Sequence, residues 1–141
     1  MSDGTPVLFD TRIAVMLSSD LVPWQELNVT AFLSSGLSAD PALLGEPYLD
    51  ADGVGYLPLL GQPVMIFTAE PDVLAAARLK AVERGMRLAI YTREMFSTGH
   101  DAANRAAVRA VHSLGLDLVG VGLHGPRNGV DRLTKAARLH A

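Results

Sequence analysis

Short apolar segments alternate along this chain with longer segments of helical periodicity, and that alternation limits the fold more than any other feature. Apolar runs that end at polar residues are typical of buried strands, and they occupy residues 12–18, 63–68, 87–92 and 117–124. Helical patterns occupy residues 24–35, 71–84, 101–112 and the stretch after Pro126. Strands joined by crossover helices run parallel and are covered on both faces. The alternation therefore predicts an α/β fold of three α/β/α layers around a mixed, mostly parallel sheet of about four strands.

The length and composition suit one ordered domain. The chain has 141 residues, of which 49% are hydrophobic and 19% charged, which is enough for a core and too little charge for disorder. We expect residues 1–141 to form a single domain, with residues 1–10 as a loose N-terminal segment. No apolar run approaches the ~18 residues of a membrane span, and no secretory signal pattern is present. Because cysteine is absent as well, we predict a cytoplasmic protein that does not enter membranes.

The charge balance bears on the choice of partner. The chain has 12 basic and 15 acidic residues, for a formal net charge of -3. Nucleic-acid binding relies on basic residues that neutralise phosphates, so this balance argues against a general nucleic-acid binder. Arg127, Arg132, Lys135 and Arg138 form either a local basic patch or a solvated helix face, which keeps nucleic acid open as a partner. The partner that we predict is an unknown small molecule, and a homodimer is a second candidate.

Polar residues that follow the strands are the candidates for a binding site. In open α/β sheets, ligands bind outside the carboxyl ends of the strands. Residues 20–25, 92–105 and 124–128 occupy those positions in this chain. The predicted ligand-binding residues are Asp20, Trp24, Asn28, Thr92, Asn104, Arg105, His124 and Arg127.

Two asparagines in that set lie on helical faces that are otherwise apolar. Asn28 shares a face with Trp24 and Leu27, and Asn104 shares one with Val108. An amide that is buried without a partner costs about 1 to 3 kcal/mol. We therefore expect both asparagines to be buried and hydrogen-bonded, either to a polar loop or to a ligand.

The segment after the third strand, residues 92–105, is the densest polar stretch of the chain. A histidine changes charge near neutral pH and can act as a general acid or base, which makes His100, beside Asp101, the first catalytic candidate. Glu94 completes the set of catalytic candidates. Thr98 or Asp101 would cap the following helix and leave its positive end open to an anion. A nucleophile elbow, a His-Glu-x-x-His motif and a phosphate-binding glycine loop are all absent from the sequence.

No cofactor and no metal ion is predicted. His100 and His124 both follow strands, and acidic residues near them in the sequence are of the type that binds metals. Their spacing nevertheless matches no ligand motif. The segment Asp50-Ala51-Asp52-Gly53 is similar to the start of a calcium loop, but Gly61 takes the position of the required glutamate. We predict an aspartate-glycine turn there, within a hairpin through Tyr48 and Tyr56.

Several short motifs in combination resemble a known family. They are Asp20-Leu21 with Pro23-Trp24-Gln25 and Asn28, Gly45-Glu46-Pro47-Tyr48 with Asp50, Thr98-Gly99-His100-Asp101 with Asn104-Arg105, and His124-Gly125-Pro126-Arg127 with Asp131. Over residues 12–140 they resemble the family called domain of unknown function 2000. That family looks like a relative of the second class of peptidyl-tRNA hydrolases, whose closing segment is similar to residues 125–139. The resemblance implies a peptidyl-tRNA hydrolase II-like fold, in agreement with the alternation of strands and helices.

The hydrolase residues that this resemblance implies are largely missing. Those enzymes have a lysine in the loop after the first strand, a glutamine and a histidine in the next helix, and an aspartate at the end of the third strand. The lysines of this chain are Lys80 and Lys135, both in predicted helices. Asn28 takes the glutamine position, Ala31 the histidine position and Thr92 the aspartate position.

Two functions stay open at this point. The first is a protein with a polar pocket for an unknown small ligand or substrate, for which a hydrolase is the first expectation if it is an enzyme. The second is a divergent esterase acting on peptidyl- or aminoacyl-tRNA, with His100 or Glu94 as base and Arg105 or Arg127 on phosphate. Two reasons favour the first function. A fold alone does not determine function, and the charge balance does not suit binding of tRNA. We also expect the first and third strands to end side by side, so that Trp24 and His100 border one cavity.

Overall fold

A computed structural model describes residues 8–141 of the chain, and residues 1–7 of the expected loose segment lie outside this part. The strands are β1 Thr11–Ser18, β2 Tyr48–Leu49, β3 Gly55–Tyr56, β4 Val64–Ala69, β5 Arg87–Thr92, β6 Leu118–Pro126 and β7 Arg138–Leu139. The α-helices are α1 Pro23–Leu37, α2 Pro71–Glu83, α3 Asp101–Arg109 and α4 Arg127–Thr134. Short 3-10 turns cover Pro41–Leu43, Arg93–Ser97 and Ser113–Gly115. None of the helices in residues 8–141 has both the length and the apolar character that crossing a membrane requires.

The main sheet is mixed and has five strands in the order β5-β6-β1-β4-β7. β1 runs parallel to β4, whereas β6 is antiparallel to both β1 and β5, and β7 is antiparallel to β4. A mixed sheet was predicted, but the expectation that it is mostly parallel is wrong. The cause is the connection from β5 to β6. It does not cross to the other end of the sheet, and so β6 begins beside the residue at which β5 ends. Leu118 therefore pairs with Thr92, and β6 runs back along β5.

Side chains of β1 alternate between two apolar layers, as the pleat of a strand requires. Val15 and Leu17 pack in the cluster under α1, whereas Met16 packs in the cluster that contains residues of α2 and α4. α2 buries Leu74, Ala77 and Ala81, the face that its periodicity predicts. The result is three layers, with α1 on one face of the sheet and α2 and α4 on the other.

α1 packs on the sheet through a different face from the one that we expected. Its buried residues are Val29, Leu33 and Leu37. Trp24 and Leu27, which were expected to point inward, are 60% and 74% exposed. Apolar residues occur on several sides of this helix, so its own periodicity does not select the buried stripe.

Two glycines of β6 select that stripe. A Cβ atom at Gly120 would overlap Val29 and lie 3.0 Å from a methyl carbon of Leu33, and one at Gly122 would lie 3.2 Å from the Cβ of Leu33. Because Gly120 and Gly122 have no side chains, α1 can lie directly against the backbone of β6. This arrangement turns Trp24 and the residues at four-residue steps from it away from the sheet, toward α3.

A hairpin extends from the sheet between α1 and β4, and we call residues 45–61 the arm. β2 and β3 form its antiparallel pair. The carboxylate of Asp50 accepts hydrogen bonds from the amides of Asp52 and Val54 at 2.9 and 3.0 Å and from the Tyr56 hydroxyl at 2.8 Å. The hydrogen bond from Tyr56 is the main reason why the pKa of Asp50 is lowered. Gly53 adopts a φ of 80°, so the predicted aspartate-glycine turn is confirmed.

Candidate functional site

A groove lies between α1 and α3 above β5, and it has two connected parts. We call the part of about 340 Å³ near the end of β5 the aromatic end, and the part of about 590 Å³ beside Arg109 the arginine end. Phe32, Tyr91, Met95, Asp101 and Asn104 line both parts. Cavities of these sizes are typical of sites for small organic molecules.

Aromatic rings line one side of the aromatic end. Trp24 meets Phe96 edge to face at 5.6 Å between ring centroids, Phe96 lies 5.2 Å from Tyr91, and Tyr91 lies 5.9 Å from Phe32. These spacings fall in the favourable range for aromatic pairs. The groove therefore gathers four of the eight aromatic residues of the chain (one Trp, three Tyr and four Phe) at one place.

Both predicted asparagines lie in this groove and are half-buried, less than we expected. Asn28 Nδ2 donates a hydrogen bond of 3.2 Å to the hydroxyl oxygen of Tyr91. The Thr98 hydroxyl donates a very short hydrogen bond to Asn104 Oδ1 and lies 3.0 Å from the carbonyl oxygen of Met95. Each amide is thus held by one side-chain partner, and each has further donor and acceptor positions beside the cavity.

His100 caps α3, a role that we expected of Thr98 or Asp101. Its Nδ1 atom accepts a hydrogen bond of 3.2 Å from the amide of Ala103. Because Nδ1 is the acceptor, the proton of the neutral ring is on Nε2. His100 lines the aromatic end together with Trp24, as we expected, although β6 separates the strands that precede them.

Charged side chains of α3 form the outer wall of the groove. Asp101 and Arg105 make a short ion pair one helical turn apart, and both side chains are mostly exposed. Exposed pairs of this kind contribute at most about 1 kcal/mol, so an anion can displace Asp101 from Arg105 at little cost. Among the described residues, Arg109 has no ion-pair partner.

Asp20 lies beside the groove and does not line it. The guanidinium of Arg93 contacts Asp20 at 2.9 Å and Asp117 at 3.1 Å, and so it ties together the chain after β1, after β5 and before β6. The Ser18 hydroxyl donates to Asp20 at 2.7 Å, and that hydrogen bond, followed by the charge of Arg93, lowers the pKa of Asp20. The polar groups of Asp20 are therefore engaged in loop contacts.

Thr92 and Glu94 also lie outside the cavity lining. Thr92 is 2% exposed, and its buried hydroxyl has no hydrogen-bond partner among the described residues. Glu94 is exposed on the 3-10 turn that follows β5. Neither side chain borders the groove in which His100 lies.

The expectation that His124 and Arg127 share this site is wrong. His124 pairs with Ile13 at the beginning of β1, and the amide of Arg127 donates to the carbonyl of Asp10 at 2.9 Å. Because β6 is antiparallel to β1 and β5, its carboxyl end lies beside the beginnings of those two strands, at the opposite end of the sheet from His100. Arg105 thus lines the groove together with Asp101 and Asn104, whereas Arg127 does not line it.

The two histidines that were considered as metal ligands do not come together. His100 and His124 lie at opposite edges and cannot share one ion. Within residues 8–141, no group of three or more histidine, aspartate or glutamate side chains is placed to hold a metal ion.

Several residues of the groove were missed by sequence reasoning, namely Phe32, Tyr91, Met95 and Phe96. A signal for Phe32 was present, because it follows Trp24 and Asn28 at steps of four residues and so continues their helical stripe. Tyr91 was hidden within a strand, and Met95 and Phe96 within a polar segment.

Fold and groove together define an α/β protein with a mixed sheet and an open site between two helices. The chain belongs to the protein family of unknown function DUF2000, whose model matches residues 11–141. A solved structure of a protein of unknown function, Atu0240 from Agrobacterium tumefaciens strain C58, is similar to it with 43% sequence identity and a TM-score of 0.90. That similarity covers 95% of this chain and 100% of Atu0240. No curated protein matches the chain.

Proposed function

We propose that this protein binds a small organic anion in the groove between α1 and α3. The ligand has a planar aromatic or conjugated body that packs at the aromatic end and an anionic group that pairs with Arg105. The single observation that carries the proposal is the meeting of four aromatic rings, two amides and an arginine on one cavity. Small-molecule sites typically combine an apolar lining with a few convergent polar groups.

The chemistry of the lining supports each part of this ligand. Exposed aromatic rings at Trp24 and Phe32 favour a flat partner, for which stacking contributes about 1 to 3 kcal/mol. The spare positions of Asn28 and Asn104 suit carbonyl, hydroxyl or ring nitrogen groups on its rim. Arg105 offers a planar fork that matches a carboxylate or phosphate.

The ligand proposal is tested with 2-naphthoate, a planar aromatic carboxylate, and with its neutral methyl ester. Trp24 is the sole tryptophan, so its indole N–H gives one signal in an NMR spectrum of ¹⁵N-labelled protein. We expect naphthoate to shift this signal in a saturable manner and the ester to bind more weakly. No shift with either compound, and no bound small molecule in native mass spectra of the purified protein, would contradict the proposal.

Variants locate the binding within the groove. Asn104→Leu and Arg105→Gln should each weaken naphthoate binding by about tenfold, the loss of roughly one charge-assisted hydrogen bond. Asn128→Leu and Arg127→Gln are matched controls at the opposite edge of the sheet and should bind as the wild type does. Equal weakening in the controls would place the binding elsewhere.

A divergent esterase for peptidyl- or aminoacyl-tRNA is the second candidate. The orientation of His100 gives it a donor role, because the amide of Ala103 occupies the lone pair of Nδ1 and leaves the Nε2–H group free to donate to an ester carbonyl at the cavity, so the base would be another group. The similarity of residues 125–139 to the end of the second class of peptidyl-tRNA hydrolases, together with the mixed sheet between helices, supports the same fold relationship. Against this candidate, Arg127 lies far from His100, and the formal net charge is -3.

A further inference from the structure

The arm carries a concentration of exposed large apolar side chains. Six of them are each more than half exposed, namely Tyr48, Leu49, Val54, Tyr56, Leu57 and Leu59, whereas Leu60 at the base of the arm packs against the core. Scattered apolar residues are normal on a surface, but a contiguous set marks an interaction site.

The arm is also a fixed element. At its base, the amide of Gly45 donates to the carbonyl of Leu59 and the amide of Gly61 donates to the carbonyl of Leu43, both at 2.8 Å. At its tip, Asp50 accepts hydrogen bonds from two amides and a hydroxyl. A segment with these bonds presents its apolar side chains in a defined arrangement, which lowers the entropy lost on binding.

The charges of the arm and of the groove are complementary. The arm carries Glu46, Asp50 and Asp52 and has no lysine or arginine. The arginine end of the groove carries Arg105, Arg109 and Asp101, which leaves one positive charge in excess, and it also has an apolar lining to which Phe32 and Val108 contribute. Two arms packed against each other would bring like charges together, whereas an arm in this groove would bring opposite charges together.

The base of the arm lies near the arginine end, because Leu60 of the arm and Ala89 of the groove pack on the same core cluster. Gly36, near the end of α1, lines the arginine end, and the arm follows shortly after α1. Asp40, just before the arm, lies 3.9 Å from Arg87 at the beginning of β5. β5 is the outermost strand of the sheet, so among residues 8–141 no further strand pairs with its outer edge.

We propose that two copies of this chain form a twofold dimer in which the arm of each copy docks on the arginine end of the other's groove. The two contacts are equivalent by symmetry, which closes the assembly at two chains. The aromatic end stays open to solvent in this arrangement. The arm would cover Arg105, with which the anionic group of the proposed ligand pairs, so the arm and the ligand compete for that side chain, although the dimer needs no ligand in order to form.

Sedimentation velocity of the full chain tests the dimer. We expect the wild type to be dimeric at about 100 µM protein and to dissociate on dilution. Leu57→Lys on the arm should weaken the dimer by more than about tenfold, since it removes an apolar contact and brings a positive charge toward Arg105 and Arg109. Leu114→Lys is the matched control, because Leu114 is 87% exposed and Leu57 84%, and Leu114 lies outside both surfaces. A monomeric wild type, or a dimer that Leu57→Lys leaves unchanged, would overturn the proposal.

Charge reversal tests the pairing of arm and groove. Asp52→Lys and Arg109→Glu should each weaken the dimer, and the double variant should regain part of the lost affinity because the charges attract again. If the double variant is as weak as the sum of the two changes, the arm does not dock beside Arg109. Leu57→Lys changes no residue of the groove, so its monomer should still show a saturable naphthoate shift of the Trp24 signal, and failure of the dimer and failure of ligand binding are separate outcomes.

Discussion

Asn28 on α1 and Tyr91 on β5 are joined by a hydrogen bond of 3.2 Å from the amide to the phenol oxygen. Tyr91 is 6% exposed, so its hydroxyl depends on this partner in place of water. The bond connects one wall of the groove to its floor.

Removal of that bond should destabilise the protein modestly. We expect Asn28→Leu to lower the free energy of unfolding by about 1 kcal/mol, the usual net contribution of such a bond. Tyr91→Phe should cost little more once Asn28 is already Leu, because both changes delete the same interaction. Urea denaturation of the single and double variants measures the coupling. Strictly additive costs would show that the bond contributes nothing in solution.

Packing of α1 on β6 should depend on the absence of a side chain at Gly120. Gly120→Ala places a methyl group against Val29 and Leu33 and should cost about 1 to 3 kcal/mol, typical of overpacking. Gly99→Ala is the control, since no atom lies within 4 Å of a Cβ built at that position. Thermal melts compare the two variants. A Gly120→Ala protein as stable as the control would mean that α1 moves away from the sheet freely.

His140 should stabilise the fold on the acid side of neutrality. Its Nε2 lies 2.5 Å from a carboxylate oxygen of Glu26, and that hydrogen bond raises the pKa of His140. A raised pKa means stability that is fully present below the unfolded value of about 6.5 and is lost as the pH rises through the folded value. Glu26→Gln should therefore lower the melting temperature at about pH 5.5 and change it little at about pH 8.5. An equal effect at both values would contradict the linkage.

His124 should have the opposite effect. Burial is the main cause that lowers its pKa, followed by the charge of Arg87, and both ring nitrogens are buried without a partner among the described residues. The unfolded chain takes up a proton first as the pH falls through about 6.5, so the contribution of a neutral His124 is lost on acidification. His124→Phe should therefore gain stability relative to the wild type as the pH is lowered. His112→Phe, at an exposed position, is the control, and calorimetry across pH compares them.

We expect no cleavage of peptidyl-tRNA above background. The lysine and aspartate that the resemblance implies are absent, and Thr92, at the aspartate position, is buried with a hydroxyl that cannot act as a carboxylate base. Release of labelled peptide from peptidyl-tRNA measures this activity. Robust cleavage that is lost in His100→Ala would favour the esterase instead.

The sequence predicted where strands and helices occur better than how they are connected in space. Residues 87–92 were placed correctly as a strand, because an apolar run between polar residues is a local signal. The direction of β6 is not a local property. The connection between β5 and β6 is long enough for a crossover, and only the pairing of Thr92 with Leu118 in the folded sheet shows that it returns to the end where β5 stops.

The candidate site was predictable to the extent that it depends on strand ends. Trp24, Asn28, His100 and Asn104 follow β1 or β5, which do run in the same direction, and they share the aromatic end of the groove. His124 was placed wrongly because the same rule was applied to an antiparallel strand. The exposed face of α1 could not be identified until Gly120 and Gly122 of β6 were seen under it.

The shallow burial of α3 should affect the hydrogen exchange of its backbone amides. A helix without a fully buried residue loses little burial when it detaches, so its amides should exchange hydrogen through local opening long before those of β1, whose residues 13–17 are almost wholly buried. One wall of the groove can therefore open while the sheet stays intact. The two sides of the groove therefore differ in rigidity, and a ligand that needs a wider opening would gain it at α3 before it would gain it at the sheet.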